Sequence, residues 1–168
     1  MRRPPAILLA AVLASGPAWA HGDDPNAAIP GAHAISPVQH PFGRQGDPKK
    51  AVRTVSIDMS DQMRFTPAEV SVVQGETVRF VVANKGELLH EMVIGTEKDL
   101  AAHAEMMRKH PGMAHDDPWM VHVKAGGRQE FTWQFTKPGT FAFACLIPGH
   151  FEAGMKGRIV VAAPKGAK

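Results

Sequence analysis

The chain has 168 residues, of which 44% are hydrophobic and 21% charged, with a single cysteine and a formal net charge of +3. One cysteine excludes an internal disulfide framework. No basic stripe interleaved with aromatic residues occurs, so the charge is not a nucleic-acid footprint, and two of the positive charges, Arg2 and Arg3, sit in a leader-like segment.

Those arginines precede the apolar residues 6–14, Pro17 and the small-residue pattern Ala18-Trp19-Ala20, which together read as a cleavable secretory signal over residues 1–20. The apolar run is too short to span a bilayer and no second candidate follows, so the mature chain is expected to be soluble in the periplasm. Residues 21–49 are rich in Pro, Gly, Ala and polar side chains, without sustained periodicity, and read as a flexible, histidine-containing arm. A globular domain is expected over 50–163, with a tail at 164–168.

Within that domain, alternation at Val55, Ile57 and Met59 predicts a strand, Phe65-Thr66-Pro67 a break, and residues 70–73 a second strand. Gln74-Gly75-Glu76 is a turn signal before the β-rich residues 77–83 and a strand over 88–94 that carries His90. Residues 97–109 are helix formers stopped by Pro111-Gly112. Phe131, Trp133 and Phe135 then alternate, Lys137-Pro138-Gly139 turns the chain, Phe141 and Phe143 lead to Cys145, and residues 157–161 form a last strand. Many short strands separated by turns predict an all-β sandwich with one short helical insertion.

The chemistry lies in Cys145-Leu146-Ile147-Pro148-Gly149-His150-Phe151-Glu152-Ala153-Gly154-Met155. A histidine follows the cysteine by five residues and a methionine follows that by five more, while His90 upstream can supply a second imidazole. A thiolate, two imidazoles and a weak axial thioether form the donor set of a mononuclear type-1 copper site, a compromise between the soft sulfur that Cu(I) prefers and the nitrogen that Cu(II) prefers. Zinc also accepts Cys and His, but it rarely takes a thioether, and its motifs usually carry paired cysteines. Taken singly, Cys145 could be a small buried hydrophobe, Met155 a gap-filler and either histidine structural. Their tight spacing after the Phe141-Ala142-Phe143-Ala144 strand, with Pro148-Gly149 turning the loop, favours the metal. Coordination also protects an exported thiol that has no disulfide partner.

The carboxy-terminal part of the chain, residues 51–163, resembles the cupredoxins, through "LLHEMVIG" and "FACLIPGHFEAGMKGRIVV". It looks closest to the periplasmic copper-tolerance subgroup, with ligand spacing similar to rusticyanin. The resemblance implies a Greek-key β-sandwich with copper near one end, held by His90, Cys145 and His150, with Met155 as axial ligand. One departure is Glu91, where many cupredoxins place an Asn that ties the ligand loops together.

Two further places offer accessory copper sites. From His103 to His122 lie four histidines (His103, His110, His115, His122) and four methionines (Met106, Met107, Met113, Met120), soft donors suited to Cu(I). The bland alternative is a helix that packs Met106 or Met107 onto the sandwich, or a docking surface for a partner. Cleavage after Ala20 would make His21 the amino terminus, able to chelate a metal with help from His33 or His40.

The functional expectation is an exported copper protein cycling between Cu(I) and Cu(II) in copper tolerance or homeostasis. The alternatives are a soluble one-electron carrier in a periplasmic redox chain and, further off, a copper oxidase. In a typical multicopper oxidase, histidines flank the cysteine and bind the neighbouring cluster, whereas here its neighbours are Ala144 and Leu146. No enzymatic activity is therefore expected. His115-Asp116-Asp117 reads as a loop cluster and Gly126-Gly127 is too short for a phosphate cradle. The expected partners are the copper ion and a redox or copper-handling protein.

Overall fold

The computed structural model describes residues 34–110 and 116–166. The expected signal at 1–20, His21, His33, Met113 and His115 lie outside the described residues. Eleven strands and one α-helix follow in chain order: β1 Gln39–His40, β2 Gly43–Gln45, β3 Arg53–Ser60, β4 Arg64–Thr66, β5 Glu69–Val73, β6 Thr77–Asn84, β7 His90–Gly95, α1 Glu97–Lys109, β8 Met120–Val123, β9 Arg128–Gln134, β10 Gly139–Ala144 and β11 Lys156–Ala162.

The strands form two sheets, one ordered β1-β2-β9-β6-β3-β4 and the other β5-β11-β10-β7-β8. The chain passes between them after β4, β5, β6, β8 and β9, so neighbours in the sequence face each other across a common core. This is the expected β-sandwich, with its one helix before the carboxy-terminal strands. The inward residues of both sheets meet there, with Trp133, Phe80, Phe135, Phe143, Ile57, Met59, Met92 and Ile94 almost fully removed from water. Each large apolar side chain so buried contributes roughly 1.5–3 kcal/mol of transfer free energy.

All six residues of β7 are buried, because its outer face is covered as well. Met92 and Ile94 point into the main core, while Val93 joins Leu100, Ala104, Met107, Met120, Ala144 and Leu146 in a second cluster beneath α1. Helix α1 is capped at Thr96, whose Oγ1 accepts from the Asp99 amide, and carries Glu97 and Asp99 in its first turn and Arg108 and Lys109 in its last. It lies close enough over Gly95 that a Cβ there would sit 3.1 Å from Leu100.

Three local differences from the sequence reading have physical causes. Residues 39–45, expected within an arm, are part of a sheet: β2 pairs with β9, Phe42 is buried, and the Trp133 indole Nε1 donates to the Phe42 carbonyl at 2.9 Å. Gly43, at a φ of 127°, permits the close approach to Trp133. The strand expected from residue 88 starts at His90, because side chains claim the amides of Gly86, Glu87 and Leu88, leaving Leu88 and Leu89 half-exposed. Strand β8 forms where only an insertion was expected, pairing with β7 and burying Met120.

Gly157 faces Phe143 across β10 and β11, and a Cβ at Gly157 would lie 2.1 Å from the Phe143 ring, which is fully buried. Gly157→Ala is therefore expected to lower stability by about 1–3 kcal/mol, read as a lower denaturant midpoint with an unchanged slope.

Candidate metal centre

β7 and β10 pair antiparallel, with Val93 opposite Ala144, which sets His90 at the start of one strand near Cys145 just beyond the end of the other. His90, Cys145 and Met155 are completely buried, whereas His150 is half-buried. Residues 145–155 form a compact loop closed by its own backbone: the Cys145 amide donates to the Met155 carbonyl at 3.1 Å and the Met155 amide to the His150 carbonyl at 3.0 Å. Gly149 and Gly154 adopt φ values of 90° and 88°, which let the chain turn twice within that loop.

The ligand atoms of His90, Cys145 and His150 lie within 4.8 Å of one another, the only such group of His, Cys, Asp or Glu among the described residues. Cys145 Sγ is 3.3 Å from His150 Nδ1, and the two imidazole rings stand 4.9 Å apart between centroids. His90 Nε2 lies 3.0 Å from Asp61 Oδ1, while His90 Nδ1 is buried without a hydrogen-bond partner among the described residues. A buried polar atom left so is costly unless something binds it. Met155 adds its thioether to the same loop.

Burial pushes the Cys145 thiol up to about 12, against partial relief from the amides of Glu91 and Ile147. Burial, followed by the neighbouring His90, lowers His150 below the ordinary imidazole value, so its ring favours the neutral form that a metal requires. The Glu87 amide and the His90 side chain hold the Asp61 carboxyl below its usual range.

A family model described as copper binding proteins of the plastocyanin/azurin family matches residues 51–162. The chain belongs to that family. This cupredoxin is 54% identical over 159 residues to the copper-resistant cuproprotein CopI of Rubrivivax gelatinosus, covering 95% of this chain and 96% of that one. It is 37% identical over 152 residues to the protein of the same name from Pseudomonas aeruginosa, covering 71% and 82%. Among solved structures, dithionite-reduced auracyanin from the photosynthetic bacterium Roseiflexus castenholzii aligns with a TM-score of 0.57 at 27% identity, covering 67% of this chain and 98% of that one. Copper is the cofactor of this cupredoxin, and its residues fit the ion: one sulfur and two imidazoles, one of which has a buried nitrogen with no hydrogen-bond partner among the described residues, offer their atoms within 4.8 Å of one another.

Glu91, singled out in the sequence as a departure, ties β7 to the loop that begins at Cys145. Its amide donates to Cys145 Sγ at 3.4 Å, its Oε1 accepts from the Leu146 amide at 2.7 Å, and its Oε2 lies 2.8 Å from Nε2 of His122. His122 stands opposite Glu91 on β8 and reaches Asp116 at 3.6 Å through Nδ1. A nearly inaccessible carboxylate is thus satisfied by a backbone amide and an imidazole.

Sequence reasoning missed Asp61, Asn84 and the role of His122. Asn84 Nδ2 donates to the carbonyls of Leu88 and Val123, shaping the approach to His90. Nothing in the spacing of these residues marks them, since each meets the site through tertiary pairing. In the insertion, Met107 and Met120 are core residues, and Met106 is exposed.

Glu91→Ala would leave the buried Leu146 amide without its acceptor, and a loss of about 1–3 kcal/mol is expected in denaturant unfolding of the metal-free protein. The thiol gives a pH signature in the same metal-free state. Its folded value lies above the ordinary 9.0, so its contribution is complete below pH 9 and lost as the pH rises from 9 toward about 12, where the unfolded chain ionises first. The denaturant midpoint should fall across that window by more in the wild type than in Cys145→Ser.

Proposed function

We propose that His90, Cys145 and His150 hold one copper ion as strong donors, that the Met155 thioether is the fourth and weaker one, and that the protein serves copper tolerance in the periplasm. The observation that carries the ligand assignment is the meeting of one thiol and two imidazoles from two places in the chain, strand β7 and the loop 145–155, with His90 Nδ1 lacking a hydrogen-bond partner among the described residues. Bound copper supplies a one-electron Cu(I)/Cu(II) couple. The chain's own contribution is to fix the donors beforehand: β7 and β10 set His90 and Cys145, and the closed loop sets His150 and Met155.

The tolerance reading is supported by two relatives, 54% and 37% identical, that are both named copper-resistant cuproproteins. Export is supported by the leader-like residues 1–20, with Arg2 and Arg3, a short apolar run and a small-residue pattern ending at Ala20. The protein acts through metal binding and redox change rather than substrate turnover, because Ala144 and Leu146 flank Cys145 and offer no relay to a second copper. A redox or copper-handling protein would meet the site at His150, the one accessible member of the set.

Cys145→Ser is expected to abolish the thiolate-to-copper charge-transfer absorption, and Met155→Leu to retain it with a shifted potential. A strain without the protein should become copper-sensitive while respiring normally, measured as growth against copper concentration. Unchanged copper sensitivity together with a failed redox pathway would replace tolerance by electron carriage.

A further inference from the structure

Asp61 belongs to the short turn between β3 and β4, 29 residues ahead of His90 in the sequence. Its carboxylate is seated in the bend that precedes β7. Oδ2 accepts from the Glu87 amide at 2.8 Å, and Oδ1 accepts from the Leu88 amide at 3.3 Å. The fit is tight enough that a Cβ on Gly86 would lie 1.9 Å from Oδ1, so residue 86 must be glycine for the carboxylate to reach this position. From there Oδ1 stands 3.0 Å from His90 Nε2. Among the described residues nothing else hydrogen-bonds that ring, since Nδ1 is buried and has no partner there.

We propose that Asp61 is a positioning residue for the copper centre: it takes the Nε2 proton of His90 in a hydrogen bond, so that Nδ1 presents its lone pair to the metal, and its charge biases the site toward Cu(II). The proposal rests on His90 being a ligand. A carboxylate can only accept, so the neutral ring must carry its proton on Nε2 and leave Nδ1 bare. A metal-binding imidazole whose other nitrogen donates to a carboxylate becomes a stronger donor, and its orientation and tautomer are fixed before the ion arrives. A nearby negative charge and a more basic nitrogen both stabilise the higher oxidation state. The two amides of the bend hold Asp61 in place, so its alignment with His90 does not depend on the ion.

Two measurements test this, and the first needs no copper. Nitrogen NMR of the metal-free wild type should show His90 protonated at Nε2 and not at Nδ1, and Asp61→Ala should yield a mixture of tautomers. A wild-type ring protonated at Nδ1 overturns the proposal. In the second, Asp61→Asn keeps an oxygen acceptor for the bend and removes the charge. The ratio of Cu(I) to Cu(II) affinity should rise about tenfold, which is an upward shift of about 59 mV for a one-electron couple. An unchanged potential in Asp61→Asn overturns the bias toward Cu(II). If the wild type itself lacks thiolate-to-copper absorption, the ligand assignment fails, whatever the tautomer shows. If that absorption is present and the Asp61 variants match wild type in both tautomer and potential, the role of Asp61 fails alone.

Discussion

The antiparallel pairing of β7 with β10 is the constraint from which the rest of the centre follows. With Val93 opposite Ala144, it leaves His90, three residues back along one strand, and Cys145, one residue past the other, at the same end of the pair, so an imidazole and a thiol come within reach of each other. The loop after Cys145 must then return the chain to β11, and its two closing hydrogen bonds bring His150 and Met155 back over the same point. Because the donors are fixed by sheet register and by a closed loop, a change of oxidation state meets a site with little freedom to rearrange.

Beneath that geometry lies a network of charge. Glu91 and Asp61 are both carboxylates near the donors, but they are used differently. Glu91 is buried between β7, β8 and the ligand loop, where it satisfies the Leu146 amide and meets His122. Asp61 is partly open to water and reaches the ring of His90 from the opposite sheet. The second hydrophobic cluster, under α1, supports the Glu91 side of the arrangement, since Val93, Met120, Ala144 and Leu146 all belong to it. The helical insertion is therefore a lid on the outer face of the ligand-bearing strands.

Much of this was legible in the sequence. Alternating apolar residues located β3 and β9, because a half-buried strand must repeat every two residues, and β-rich runs on either side of the Gln74-Gly75-Glu76 turn located β5 and β6. Helix formers and Pro111-Gly112 placed α1, and the clustered donors of residues 145–155, with His90, gave the candidate ligands. What escaped was whatever depends on side chains that hold backbone from a distance. β2 owes its place to the Trp133 indole and a glycine turn, and neither leaves a periodic trace in so short a segment. Leu88 and Leu89 read as part of the strand that carries His90, yet Asn84 and Asp61 take the amides of Gly86, Glu87 and Leu88 and hold the segment in a bend. The histidine- and methionine-rich stretch was ambiguous for a related reason. Core packing and metal binding favour the same residue types, and only the fold separates Met107 and Met120, which are buried, from Met106, which is not.

The uneven burial of His90, Cys145, His150 and Met155 has a kinetic consequence for the centre proposed above. Three of them are sealed from water, whereas His150 is half-buried in a loop whose last residue accepts one closing hydrogen bond and donates the other. With copper held as proposed, an electron would cross through the His150 ring with the loop shut, whereas an ion would exchange through an opening of that loop. Electron traffic and cargo exchange are thereby placed on separate clocks, the second set by the local unfolding of eleven residues.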